Sequence, residues 1–181
     1  MTAEDRRFER IDQRVVYEGR IVRLMIERYR FPDGEEVERE IVRHDGAVAM
    51  LVHDDEHLYL VRQPREAVGD PDFLEIPAGR LDKEGESTLD AAKRELAEEI
   101  GMAAERWEHI RTYVSSAGMS DEVVHIFHAT GLSEAEEEAE AEHNERIELV
   151  RWPLSDLDGA IAATRDSKTL IALYWLKADR H

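Results

Sequence analysis

The chain has 181 residues and a formal net charge of −18, with 42 acidic side chains against 24 basic ones and no cysteine. That length suits one well-buried domain with an added subdomain rather than two large domains. The charge argues against a nucleic-acid partner, whose phosphates want an excess of Lys and Arg, and without cysteine there is neither a disulfide framework nor thiol chemistry. Residues 13–31 and 36–43 read as strands, carrying Val15-Val16-Tyr17, the run Ile21 to Ile26 and the alternating Val37 to Val42. Between them Pro32-Asp33-Gly34 is a turn signal. Residues 47–52 form a short apolar run suited to a buried strand, and residues 58–61 pair with it across the polar turn Asp54-Asp55-Glu56.

The segment 79–102 is the most informative in the chain. Ile76-Pro77-Ala78-Gly79 leads towards a helix that starts at Ser87, with Asp90 three residues on as a capping-box variant and Gly101 as the C-cap. Leu89, Ala92, Leu96 and Ile100 form its apolar stripe. Glu95, Glu98 and Glu99 stand at i, i+3 and i+4, on neighbouring turns of one face. Like charges so placed repel. A solvated acidic face is the bland account, whereas Mg²⁺ or Mn²⁺, which prefer carboxylate oxygens, would reverse the sign of the interaction. Strands follow near residues 107–114 and 122–129. Residues 133–146, dominated by Glu and Ala, read as a helix or an acidic loop. A last strand at 147–152 and closing helices at 155–163 and 167–178 complete the chain. There is no internal repeat. No apolar run of signal length opens the chain, and nowhere do about eighteen apolar residues follow one another. A membrane span is therefore not expected, and the expected location is cytoplasmic.

The run from Glu86 through Arg94-Glu95-Leu96-Ala97-Glu98-Glu99-Ile100-Gly101-Met102 resembles the signature of the Nudix hydrolases. One departure precedes it, since six residues rather than five separate Gly79 from Glu86. The resemblance implies an α/β (α+β) fold, with a mixed β-sheet sandwiched by helices. An N-terminal antiparallel strand subdomain, residues 1–44, would precede a hydrolase domain, residues 45–181. Three further segments resemble the ADP-ribose pyrophosphatase branch. They are Glu75-Ile76-Pro77-Ala78-Gly79, Arg62-Gln63-Pro64-Arg65, in which Pro64 replaces an aromatic residue, and Ser116-Ala117-Gly118-Met119-Ser120-Asp121-Glu122, in which Ala117 replaces a proline. The branch implies substrate contacts at Gly118, Ser120 and Glu122. It also implies a homodimer in which the N-terminal strands are exchanged and Arg39 and Glu40 help to hold adenine.

The chemistry follows from charge. A nucleoside diphosphate linked to a second group carries two negative charges on its pyrophosphate, and attack by water needs them neutralised and the water deprotonated. Divalent cations do the first and assist the second. Glu95 and Glu99 are the best ligands, with Glu98 beside them and the backbone carbonyl of Ala78 presented by the loop. Glu86 is either a further ligand or a first-turn residue complementing the helix dipole. Arg94 orients a ligating carboxylate, although an exposed i, i+4 pair with Glu98 would be worth only about 0.3–0.5 kcal/mol. Arg65 is a fork donor to phosphate. The branch takes its general base from a glutamate after the sheet, and His143-Asn144-Glu145-Arg146-Ile147-Glu148 makes Glu145 the candidate and Glu142 the alternate. Histidines are poor candidates, because His125 and His128, three apart in a strand, face opposite ways. The expected activity is Mg²⁺-dependent hydrolysis of ADP-ribose or a related ADP-sugar to AMP and a sugar phosphate. Another nucleoside diphosphate sugar or NADH is the alternative, kept open by Ala117 and Pro64. A non-catalytic sensing module fits less well, since every signature glutamate is present.

Overall fold

A computed structural model of the protein describes residues 7–135 and 146–179. The chain divides into two compact units, Met1–Gly46 with Val114–Val123, and Ala47–Tyr113 with Val124–His181. The first is an antiparallel sheet of β1 (Glu9–Glu18), β2 (Arg23–Arg30) and β3 (Glu36–Arg43) in the order β1-β2-β3. Where the sequence suggests unbroken extended chain from 13 to 31, the structure turns between Glu18 and Arg23. The Gly19 N–H reaches the Val22 carbonyl at 2.9 Å there, and any Cβ at Gly19 would fall 2.7 Å from the Tyr17 ring. The turn expected at Pro32-Asp33-Gly34 is present, with Gly34 at φ +88° and Asp33 accepting from the Glu35 N–H at 3.0 Å. Residues 114–123 join this unit through a parallel bridge of Ser120 to Val42.

The centre of this small sheet is charged. Glu27, fully buried, accepts both Arg43 Nη2–H bonds at 2.6 and 2.7 Å and is approached by Arg10 and Tyr29. Burial alone would raise its carboxyl, but hydrogen bonds from Arg43 and Tyr29 hold it below the usual carboxylate range. By contrast Val15, Val16 and Tyr17 on β1 are each about half exposed, at 51, 49 and 60 %.

The second unit is a seven-stranded mixed sheet. Its strands are β4 (Ala47–His53), β5 (His57–Arg65), β6 (Asp70–Glu75), β7 (Ala78–Arg80), β8 (Met102–Val114), β9 (Val123–Glu134) and β10 (Glu148–Pro153). The order is β10-β5-β4-β9-β8, with β6 on β5 and β7 on β4. β4 and β9 run parallel, and β4 meets β5 antiparallel at Val52–Tyr59 and His53–Leu58, as the hairpin reading requires. Strand β6 escapes sequence reading because Asp70-Pro71-Asp72 has turn composition. It is an edge strand, where a proline is tolerated. Likewise the lead-in read as loop is partly strand, Ala78–Arg80 pairing with Ala47–Ala49.

Alternation along β4 feeds two cores. Ala49 and Leu51 pack with Leu58, Leu60 and Ile126 under the C-terminal helices α2 (Leu157–Ala163) and α3 (Ser167–Asp179), whereas Val48, Met50 and Val52 pack under α1 (Thr88–Ile100) through Ala91, Ala92 and Leu96. α1 starts as expected, Ser87 Oγ accepting from the Asp90 N–H at 3.1 Å, and ends at Gly101 with φ +68°. α2 begins at Leu157 rather than 155, because Asp156 is its N-cap and accepts from the Gly159 N–H at 3.1 Å. Among the described residues no helix is long and apolar enough to cross a membrane.

His125 and His128 do face opposite sides of the sheet. The structure adds a partner for each, His125 joining His109 through Thr112 and His128 meeting His53 at 2.9 Å beneath Trp175. Burial, and next the neighbouring His53, push the His128 imidazole down to about 4 from 6.5, with Asp179 opposing. A folded-state value below the unfolded one means that the unfolded chain takes the proton first as pH falls. The His128 contribution should therefore be lost between pH 6.5 and about 4, the loss being complete below that. Urea melts of wild type and His128→Gln across that range check this, the variant giving the flatter profile.

Candidate active site

The signature helix places its carboxylates around one guanidinium. Arg94 donates to Glu86 through Nε at 3.1 Å and Nη2 at 3.0 Å, and through Nη1 to Glu95 at 2.6 Å and Glu98 at 2.8 Å. The i, i+4 pair of Arg94 with Glu98 thus exists, but as one arm of a four-residue cluster in which Arg94 is only 17 % exposed. The Arg94 guanidinium is stabilised in its charged form, chiefly by Glu86, and Arg94 in turn holds Glu86 below the usual carboxylate range. Glu95 behaves differently: burial pushes its carboxyl up in spite of Arg94.

The strand before the helix is shaped to this cluster. A Cβ at Gly79 would lie 1.9 Å from the carboxyl carbon of Glu95, so no other residue fits at position 79 without displacing that side chain. One residue earlier the Ala78 N–H donates to Glu99 at 3.0 Å. The segment is tied down from both sides, with the Pro77 carbonyl accepting from the Met50 N–H at 2.8 Å and the Ile76 N–H donating to the buried Thr169 hydroxyl at 2.8 Å. Arg65, at the end of β5, donates through Nε to the buried Glu75 at 2.7 Å and feels the field of Glu99.

The oxygen donors of Glu86, Glu95, Glu98 and Glu99 suit a hard cation such as Mg²⁺ or Mn²⁺. Among the described residues no three acidic or histidine side chains converge as a ready cage, because Arg94 draws three of these carboxylates to itself. A cation here would share them with the guanidinium, and the half-buried Glu95 would gain from its charge. The donor set therefore fits the group in chemistry.

The remaining sequence candidates divide between the units. Arg39 and Glu40 lie on β3, both exposed, Arg39 donating to the Glu38 carbonyl at 2.9 Å. Arg39, Ala117, Gly118 and Ser120 line a pocket of about 320 Å³ within the first unit, which Phe8 and Tyr29 also border. Glu122 and Glu40 do not line it; Glu122 accepts from the Ser115 hydroxyl at 2.5 Å and stands 3.6 Å from His44. Glu142 and Glu145 lie outside the described residues. Sequence reading missed Lys168, Asp166 and Thr169, which surround Glu75 and Ile76. They lie 64 to 67 residues beyond Met102, the end of the signature, in a stretch with no motif of its own, so no local signal marks them.

A model of the NUDIX domain matches residues 42–174. The chain is 36% identical over 165 residues to the ADP-ribose pyrophosphatase of Bacillus subtilis, covering 90% of this chain and 88% of that protein. It is 37% identical, with the same coverage, to the methanol dehydrogenase activator of Bacillus methanolicus. Identity to the ADP-ribose pyrophosphatase of Mycobacterium tuberculosis is 38% over 146 residues, 80% of this chain and 70% of that one. In fold it is similar to a crystal structure of an ADP compounds hydrolase, with TM-score 0.81, 23% identity and 95% of each chain covered.

Proposed function

The chain belongs to the Nudix family, and from that premise we propose that it hydrolyses the pyrophosphate of ADP-ribose, or of a close ADP-sugar, to AMP and ribose 5-phosphate or the matching sugar phosphate. The observation that carries the reading is that all four signature carboxylates are present and ordered, Glu86, Glu95 and Glu98 gathered at Arg94 and Glu99 bound to the strand that passes Gly79. A nucleotide-sensing module has no use for all four. Two relatives at 36% and 38% identity bear the name ADP-ribose pyrophosphatase, which supplies the substrate class.

In the reaction a water oxygen bonds to one phosphorus, the anhydride P–O bond breaks, and the water's proton leaves to a base. A divalent cation, Mg²⁺ by preference, supplies charge neutralisation at the pyrophosphate when bound. The chain's own groups do the rest. Glu95, Glu98, Glu99 and the Ala78 carbonyl would hold the cation, with Glu86 as a further contact. Arg94 fixes the carboxylates in place, and Arg65 presents its terminal nitrogens to phosphate. Glu145 is the proposed base, with Glu142 as the alternate. On the first unit, Arg39, Glu40, Gly118, Ser120 and Glu122 are the proposed contacts to the nucleoside and the second sugar.

We place the exposed β1 residues Val15, Val16 and Tyr17 in a homodimer interface, since a strand with both faces open leaves more apolar surface than a free sheet edge should. A sedimentation run at micromolar concentration that finds only a 20.9 kDa species contradicts the dimer.

The function is tested with purified protein, Mg²⁺ and a panel of ADP-ribose, ADP-glucose, UDP-glucose and NADH, scored by coupled phosphate release. ADP-ribose should give the highest kcat/KM. A higher value for NADH or UDP-glucose would move the assignment to the alternative that Ala117 and Pro64 favour. Turnover of none of them would leave the sensing module.

A further inference from the structure

We propose that Lys168, on the first turn of α3, is a positioning residue that keeps Arg65 available to phosphate by acting through the buried carboxylate of Glu75. The inference deepens the functional reading above and rests on it for the chemistry of the ligand, a nucleoside diphosphate. Glu75 is 1 % exposed, and its two oxygens are divided between two cations. Oε1 accepts from Arg65 Nε at 2.7 Å, and Oε2 takes the Lys168 ammonium. Lys168, itself 13 % exposed, also stands 3.1 Å from Asp166. Asp166, Lys168, Glu75 and Arg65 therefore form a row of alternating charge whose sum is zero.

The division of Glu75 matters for Arg65. An arginine facing a free carboxylate prefers the two-bond fork, which would use one of its terminal nitrogens. Here the second carboxylate oxygen is held by Lys168, so Arg65 binds through Nε alone. Its terminal nitrogens make no other hydrogen bond among the described residues. Burial opposes the cationic form of Arg65, while Glu75 and next the charge of Glu99 on the signature helix favour it. Without the Lys168 ammonium, Oε2 of a buried carboxylate loses its partner, and Arg65, already bound to Oε1, is the cation at hand to replace it. The guanidinium is then drawn onto Glu75 and away from phosphate. Thr169 gives the C-terminal helix a separate structural hold on the loop through Ile76, so that Lys168 is not needed for that anchorage.

The test compares wild type, Lys168→Met, Lys168→Arg, Arg65→Gln and the double variant Arg65→Gln/Lys168→Met. Methionine keeps the apolar stem of the side chain, and thermal melts confirm that each protein is folded. Binding of α,β-methylene-ADP with Mg²⁺ is measured by calorimetry, which needs no turnover. Lys168→Met should weaken binding about tenfold, the scale of one charged hydrogen bond, and Lys168→Arg should restore most of it. In the Arg65→Gln background the Lys168 change should add nothing, because the residue it acts through is gone. Wild-type affinity in folded Lys168→Met, or the same tenfold loss in both backgrounds, overturns the proposal. Turnover of ADP-ribose by wild type is scored separately. If it is absent while the binding pattern holds, the substrate assignment falls and the positioning role stands.

Discussion

Glu99→Gln should lower kcat/KM for ADP-ribose by about 10²–10³, the equivalent of the several kcal/mol that charge stabilisation at a phosphoryl group supplies. The substitution keeps the shape of the side chain and an oxygen that can accept from the Ala78 N–H, so the loop contact at 3.0 Å has no reason to break. What is lost is one negative charge at the proposed cation site. The folded protein should melt close to wild type, and Mg²⁺ titrations of activity should shift to higher concentration. Near-normal turnover in a folded variant would remove Glu99 from the site. The measurement is steady-state kinetics over a Mg²⁺ series, read beside a thermal melt.

Arg94→Met should damage both folding and activity, because it removes the cation that Glu86, Glu95 and Glu98 share. These carboxylates are 13–29 % exposed, so their charges are only partly screened by water. Stranding such charges costs about 3 kcal/mol or more, which for a chain of this size is a fall in Tm of roughly 6–12 °C. Added Mg²⁺ should recover more of that loss in the variant than it adds to wild type, since a cation can take the place of the guanidinium charge. A melt of the variant that ignores Mg²⁺ would show that these carboxylates do not hold the ion. Activity should stay low even with Mg²⁺ saturating, because a free ion does not fix the carboxylate rotamers as the bonds to Arg94 do.

The helix and its carboxylates are legible in the sequence because their determinants are local: Ser87 and Gly101 mark the ends, and the spacing of Glu95, Glu98 and Glu99 sets the face. The strand pair at 47–52 and 58–61 is legible for the same reason. The edge strand Asp70–Glu75 is not, since its pairing with β5 is decided by the neighbouring strand and its own residues favour a turn. The turn at Gly19 is hidden by the β-branched residues on either side of it. Within the site, sequence separates Arg94 from the carboxylates as an orienting residue but gives no hint that it binds three of them at once. Nor can it show that Gly79 is required by the Glu95 carboxyl, because that contact joins a strand to a helix sixteen residues on. The network of Lys168 and Glu75 is the extreme case, two groups far apart in sequence that meet only after α3 has packed on the sheet.

The strand order has a consequence for how the chain is made. β4 is central, yet it gains its parallel neighbour β9 only when residues from Val124 onward are available, and β5 gains β10 only from Glu148. A ribosome that has released the first hundred residues has already exposed Val48 to Val52 and the complete signature helix, with both flanks of the sheet still missing. Folding of the second unit is therefore a late event governed by non-local pairing. The N-terminal sheet of β1, β2 and β3, by contrast, is built from adjacent segments and can assemble as it emerges.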